Sequence, residues 1–418
     1  MNAIVKNNAS VACEWAENLP ENWEFRLLKR DFVVTLGKML QSVQHNETET
    51  EEYYLRSANL RWEGVDITDV RKMWFAPQEK KKLALQYGDL LVSEGGDVGR
   101  TSFWQNELSN CYIQNAINRV RARKKDSTRF LYYWLHLIKS IGYIDAVVSR
   151  ITIAHLTAEK LERIPSIKPP IPVQHRIASY LGKTCAAIDK AIEAKQKQLE
   201  TLDALRKSII HKAVTRGLDD SVALKDSNID FFGRVPIDWK PTKFRYEISI
   251  RNGDFISDKL DENGLHPVVG GNGFMGMTND FNVDEEVIAI GRVGAYCGNV
   301  HLVTKQSWIS DNALIVKSMH DLKYLVYVFI ALDLNSEANK TAQPVITGTK
   351  IKNIRIAIPT REEQSKIAYS LDGKLSELQH IKENIQQQIS TLVQYRKSLI
   401  HECVTGKRWI TEDDVQDQ

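Results

Sequence analysis

Two stretches of this chain, "RKSIIHKAVTRG" at 206–217 and "RKSLIHECVTGK" at 396–407, are nearly the same string. Extended backward they stay in register without a gap at an offset of 190. Gln174 falls on Gln364, Ile177 on Ile367 and Arg206 on Arg396. Between Gln174 and Thr215, 16 of 42 positions match their counterparts. A shared apolar rhythm would not also reproduce Arg-Lys-Ser, His and Val-Thr in order, so the unit is duplicated, and the fold must accommodate it twice.

Inside the unit the spacing alternates four and three. The first seam is Leu181, Cys185, Ile188, Ile192, Lys195, Leu199, Leu202, Arg206, Ile209 and Ala213; the second is Leu371, Leu375, Leu378, Lys382, Ile385, Ile389, Leu392, Arg396, Leu399 and Cys403. A core helix in a bundle would share part of this rhythm. A seam aligned over more than four heptads, with polar residues outside it, predicts a long helix packed on another long helix. Pro172 and Pro359 are placed just before the helices, and Gly217 and Gly406 near their ends. At ~1.5 Å per residue, 40 residues make a rod on the order of 60 Å. Antiparallel pairing of the two rods would hold two modules apart around a pseudo-twofold axis.

The modules are residues 1–166 and 219–358, the helical regions 167–218 and 359–408, and the tail 409–418. Both modules open on a proline followed by tryptophan, "NLPENW" and "RVPIDW". "YGDLLVSEGGDVGR" (87–100) parallels "VDEEVIAIGRVGAY" (283–296): an acidic turn, a short aliphatic strand, then glycines. Each closes with an apolar helix-like run, "FLYYWLHLI" or "YLVYVFIAL". The fold class expected is α+β, with two similar mixed α/β domains separated by a long antiparallel two-helix coiled coil.

A formal charge of +3 permits nucleic-acid binding without demanding it. Cys13, Cys111, Cys185, Cys297 and Cys403 are odd in number and form no CxxC pair, which fits a reducing compartment. No leader pattern or run of ~20 apolar residues occurs, so a soluble, cytoplasmic protein is expected.

"IKPPIPVQHRIASYLGK" through "RKSIIHKAVTRGL", and "IPTREEQSKIAYSLDG" through "QYRKSLIHECVTGK", resemble the two conserved regions of the specificity subunit of type I restriction-modification systems. "YLRSANLRWEGVD", "GDLLVSEGGDVG" and "HPVVGGNGFMGMTND" resemble that family's target-recognition domains. The first copy departs from the family pattern in its Thr215-Arg216-Gly217 ending, and the second has one proline where the first has three. The resemblance implies a non-catalytic, sequence-specific subunit that reads a bipartite, asymmetric duplex site. It also implies docking of two DNA methyltransferase subunits using S-adenosylmethionine, and of restriction/motor subunits using ATP and magnesium; none of these cofactors would be bound by this chain. The rival readings are the same role in a methyltransferase-only system, a coiled-coil scaffold without DNA specificity, and a methyltransferase or nuclease in itself, against which the missing motifs argue.

"GGDVGRT" lacks the four-residue spacing and the lysine of a phosphate-binding loop, and no dinucleotide, metalloprotease or amino-methyltransferase motif appears. The recurring His211 and His401 read as helix-surface or packing residues, and no metal site is expected. Candidates for DNA contact are side chains able to fork onto base edges or reach phosphates. They are Arg56, Asn59, Arg61 and Trp62; the strip Arg119, Arg121, Arg123, Lys124 and Lys125; and Asn272, Asn279 and Arg292 beside glycine-rich turns. Solvated charge and ordinary turns are the plain readings of the same residues.

Overall fold

The structure is a computed structural model that describes residues 19–148, 155–256, 260–336 and 344–416. Cys13 and the opening segment lie outside the described residues, as do the last two residues of the tail. The chain divides into two compact units: residues 1–193 with 388–418, and residues 194–387. The division falls within both long helices.

The long helices run Ile171–Arg216 and Arg361–Val404. Pro172 is inside the first turn rather than before the helix. Proline is accepted there because the first N–H groups of a helix have no internal acceptor. Gly217 and Gly406 follow the helix ends at φ +75° and +76°, the left-handed geometry that ends a helix at little cost only for glycine.

In the first unit, the N-terminal half of the first long helix shares a core with the C-terminal half of the second. Leu181, Cys185 and Ile188 are buried with Leu399, Ile400 and Cys403, and Ile192 and Leu392 pack against them. In the second unit the opposite halves meet, with Ile209, Ile210 and Ala213 beside Ile367, Leu371 and Leu375. The pair is therefore antiparallel. Leu199, Leu202, Ile385 and Ile389 are half-buried and Leu378 is buried, each flanked by exposed residues. Ion pairs cross the seam: Arg396 to Asp189 at 2.7 Å in the first unit, Lys382 to Asp203 at 2.6 Å in the second.

The same frame is built twice. In the first unit an antiparallel four-stranded sheet runs in the order Phe32–Leu36, Ile117–Ala122, Leu90–Ser93, Thr101–Phe103; in the second, Ile248–Asn252, Ala313–Ser318, Val287–Gly291, Val300–Val303. A three-stranded sheet follows in each, Arg71–Phe75, Thr50–Leu55, Cys111–Ile113 and Gly273–Thr278, His266–Gly270, Trp308–Ile309, with one antiparallel and one parallel pairing in both. A two-stranded ribbon at each root joins Glu24–Leu27 to Pro165–Lys168, and Lys240–Lys243 to Arg355–Ile358. The shared opening also has a shared use: Pro20 and Trp23 pack at Gly406, and Pro236 and Trp239 at Gly217.

The repeated glutamine attaches each frame to its helix. Gln174 and Gln364 are buried. Gln174 Oε1 accepts from the backbone N–H of Ser127 at 2.8 Å, and Gln364 Oε1 from that of Asp321 at 3.0 Å. Each amide nitrogen donates to the carbonyl of Pro169 or Pro359. Ser127 and Asp321 in turn are the N-caps of the module helices Thr128–Ser140 and Leu322–Ala331, accepting from Phe130 N–H at 3.2 Å and Tyr324 N–H at 3.0 Å. Only a primary amide offers an acceptor and donors together at this reach.

Replacing Gln174 or Gln364 by alanine leaves buried backbone groups unpaired. Each substitution should cost roughly 2–3 kcal/mol in denaturant unfolding.

Candidate nucleic-acid interface

Several candidates are consumed by the frame. Asn59 is 3% exposed; its side chain accepts from Arg56 N–H at 2.9 Å and donates to the carbonyls of Asp66 and Asp69, closing the 56–69 loop. Arg56 is turned onto Asp69 at 2.7 Å. Trp62 lies edge-on to His136 at 4.8 Å, and its carbonyl accepts from the Tyr132 hydroxyl. Arg119, 6% exposed, donates to the Ala84 carbonyl and to Thr35; burial holds its pKa below the ordinary value. Arg121 forks onto the buried Asp89, both contacts 2.6 Å. Of these four sequence candidates for DNA contact, Asn59 and Arg119 are buried in the frame, while Arg56 and Arg121 are half-buried against carboxylates.

The remaining candidates are more open. Arg61 is exposed, with Asp66 at 3.5 Å. Asn272 is exposed with Asn299 at 3.3 Å, and Asn279 is exposed but held by Asp261 at 2.8 Å. Arg292 is half-buried, its Nη1 3.5 Å from the Asp311 carbonyl. Arg123, Lys124 and Lys125 are exposed. Arg123 Nε donates to the Lys29 carbonyl at 3.1 Å, and its own N–H to the Asp31 carbonyl, which brings the exposed Lys29 and Arg30 beside the three. The nearby Asp31 and Asp126 are taken up by Lys168, leaving this surface at the module root basic.

Sequence reasoning missed Lys29 and Arg30, because only the sheet pairing of Phe32 with Ala122 joins the two segments. It also missed two tips at one topological position. Gly37 and Gly253 follow the first strand of each four-stranded sheet, and a Cβ on either would collide with a neighbouring carbonyl. Lys38 and Asp254 then bridge to Gln114 and Ser310. The next residues, Met39 and Phe255, are 74% and 72% exposed. Large apolar side chains left in water at matching positions of both frames are the signal that repeat alignment of the modules could have found.

His136, under Trp62 and near Tyr132, has its pKa pushed down to about 4, mainly because burial disfavours the imidazolium and next because of Arg396.

A family model described as "Type I restriction modification DNA specificity domain" matches residues 20–201 and 236–391. The chain belongs to that family of DNA specificity domains. It is 23% identical over 440 residues to the type I restriction enzyme MjaVIII specificity subunit of Methanocaldococcus jannaschii, covering 93% of each. It is 28% identical over 160 residues to the EcoprrI specificity subunit of Escherichia coli, covering 35% of this chain and 40% of that one. A structure described as showing complex assembly and conformational transition of the type I R-M system superposes with a TM-score of 0.73 at 13% identity, covering 94% of this chain and all of the other. The HsdS subunit of Thermoanaerobacter tengcongensis gives 0.55 at 14%, covering 93% and 98%. These structural likenesses establish the fold. No described helix is long and apolar enough to cross a membrane.

Two outcomes follow for unfolding experiments. Asn59→Ala should cost on the order of 2 kcal/mol, while Lys125→Ala should stay within about 0.5 kcal/mol. For His136 the folded pKa lies below the unfolded one. Protonation thus favours the unfolded chain, and the stability His136 contributes is present above about pH 6.5 and lost as pH falls toward 4. Stability measured across that window should fall less steeply in His136→Gln than in the wild type, the difference amounting to roughly 1–3 kcal/mol.

Proposed function

We propose that the chain reads a bipartite duplex DNA site, one module per half, as the non-catalytic specificity subunit of a type I restriction-modification complex. The observation carrying this is two equal frames with unequal exposed surfaces. Lys38-Met39 in one stands where the other has Asp254-Phe255, and the four-stranded sheets and cap–glutamine attachments coincide around them. Frames that match while their tips differ suit a target whose halves differ in sequence. Apolar tips suit contact with thymine methyl groups or a wedge at a base step, and the Lys29–Lys125 surface suits phosphate.

On this reading the number of helical residues joining the modules sets the gap between half-sites. Two methyltransferase subunits would dock on the chain and bring S-adenosylmethionine, and restriction/motor subunits would bring ATP and magnesium. Cytoplasmic residence accords with that role.

The test is binding of duplexes by the chain with its methyltransferase and cofactor supplied. Sequence preference is expected, and its absence contradicts the proposal. The double substitution Lys124→Ala, Lys125→Ala should weaken binding to all duplexes alike and reduce the slope of log K against log salt by about 2. Met39→Ser and Phe255→Ser should each relax preference in one half-site only.

A further inference from the structure

Superposing the two attachments by their glutamines and caps exposes a missing side chain. Arg129 and Lys323 lie two residues after the caps Ser127 and Asp321, Tyr133 and Tyr327 six after, and Gly182 and Asp372 eight after the glutamines. In the second unit these three positions form a closed cluster. Lys323 donates to Asp372 at 2.7 Å, and the Tyr327 hydroxyl donates to the same carboxylate at 2.5 Å.

In the first unit the cation and the phenol are retained and the carboxylate is absent. A Cβ placed on Gly182 would stand 3.8 Å from the Tyr133 hydroxyl and 3.9 Å from Arg129 Nε, with nothing closer. The room is real: a cavity of about 140 Å³ opens there, lined by these residues and by Trp62, Phe103 and Cys185 among others. With a water's share of liquid volume at roughly 30 Å³, it holds several waters or one small organic anion. Tyr133 is 5% exposed, and Arg129 lies over the Phe103 ring at 4.8 Å. Glycine inside a long helix is less stable than alanine, and this one makes no close backbone approach that would require it.

We propose that the cavity at Gly182 is a binding site for a small carboxylate, which takes from Arg129 and Tyr133 the contacts that Asp372 takes from Lys323 and Tyr327. Three further charges border the site, one cation and two acids. Arg396 is spent on Asp189 at 2.7 Å, and Glu63 is an exposed acid at the rim that limits the size and charge of what enters. A monocarboxylate the size of acetate fits this balance better than a dianion. The proposal does not depend on the DNA-reading function.

The experiment is thermal unfolding and calorimetric titration of the full chain with sodium acetate, against sodium chloride at equal ionic strength and against inorganic phosphate. Wild type should show saturable stabilisation by acetate beyond chloride, a shift on the order of 2–4 °C near saturation. Gly182→Asp should raise the melting temperature without acetate and abolish the acetate response; Arg129→Gln, checked for folding by circular dichroism, should lose the response. No acetate-specific shift in wild type overturns the proposal, whatever the stability of Gly182→Asp. So does a full acetate response retained in Gly182→Asp, or a response to phosphate alone.

Discussion

A buried primary amide holds each module of this protein to its helix. Gln174 and Gln364 accept from the N–H of a helix cap and donate to the carbonyl that precedes the long helix, so one side chain fixes the entry of the long helix and the start of the module helix together. The cap then orders the module helix, whose buried face, Leu131, Trp134 and Ile138 in the first unit, carries the core outward to the sheet. Because the attachment uses backbone partners, it survives divergence of nearly everything around it.

That divergence is visible one bond away. The other hydrogen of the glutamine amide goes to Asp126 in the first unit and to Nδ1 of His320 in the second. Asp126 shares Lys168 with Asp31, whereas His320, its Nδ1 accepting, donates from Nε2 to Glu247 at 2.8 Å. The group beside the amide changes from a carboxylate to an imidazole between copies, yet both clusters leave the buried polar groups paired, as burial demands. The same freedom shows in the seams: Asp189 with Arg396 and Asp203 with Lys382 are not copies of each other, since their counterparts in the repeat are Gln379, Arg206, Val393 and Ile192.

The long helices and their pairing were legible because period and duplication act over 40 residues, far beyond chance. The parallel module segments were legible too: Leu90–Ser93 and Val287–Gly291 are matching strands. What the string conceals is which way a polar side chain turns. "NRVRARKK" reads as one basic strip, but on the strand Ile117–Ala122 alternation puts Arg119 and Arg121 on one face, under the Ala84 carbonyl that accepts from both. Past the strand, from Arg123 to Lys125, the charges are exposed. Likewise Asn59 looked like a base reader because asparagine suits adenine, while loop closure uses the same donors and acceptor. Met39 and Phe255 were hidden for the opposite reason, since an isolated apolar residue in a sequence is assigned to a core.

Amide hydrogen exchange at Ser127 and Asp321 tests the attachment most directly. Protection of both N–H groups at the level of the sheet strands, lost at Ser127 in Gln174→Ala and at Asp321 in Gln364→Ala, is the expected result. Rapid exchange of these amides in the wild type, or protection unchanged by the substitutions, would contradict the account.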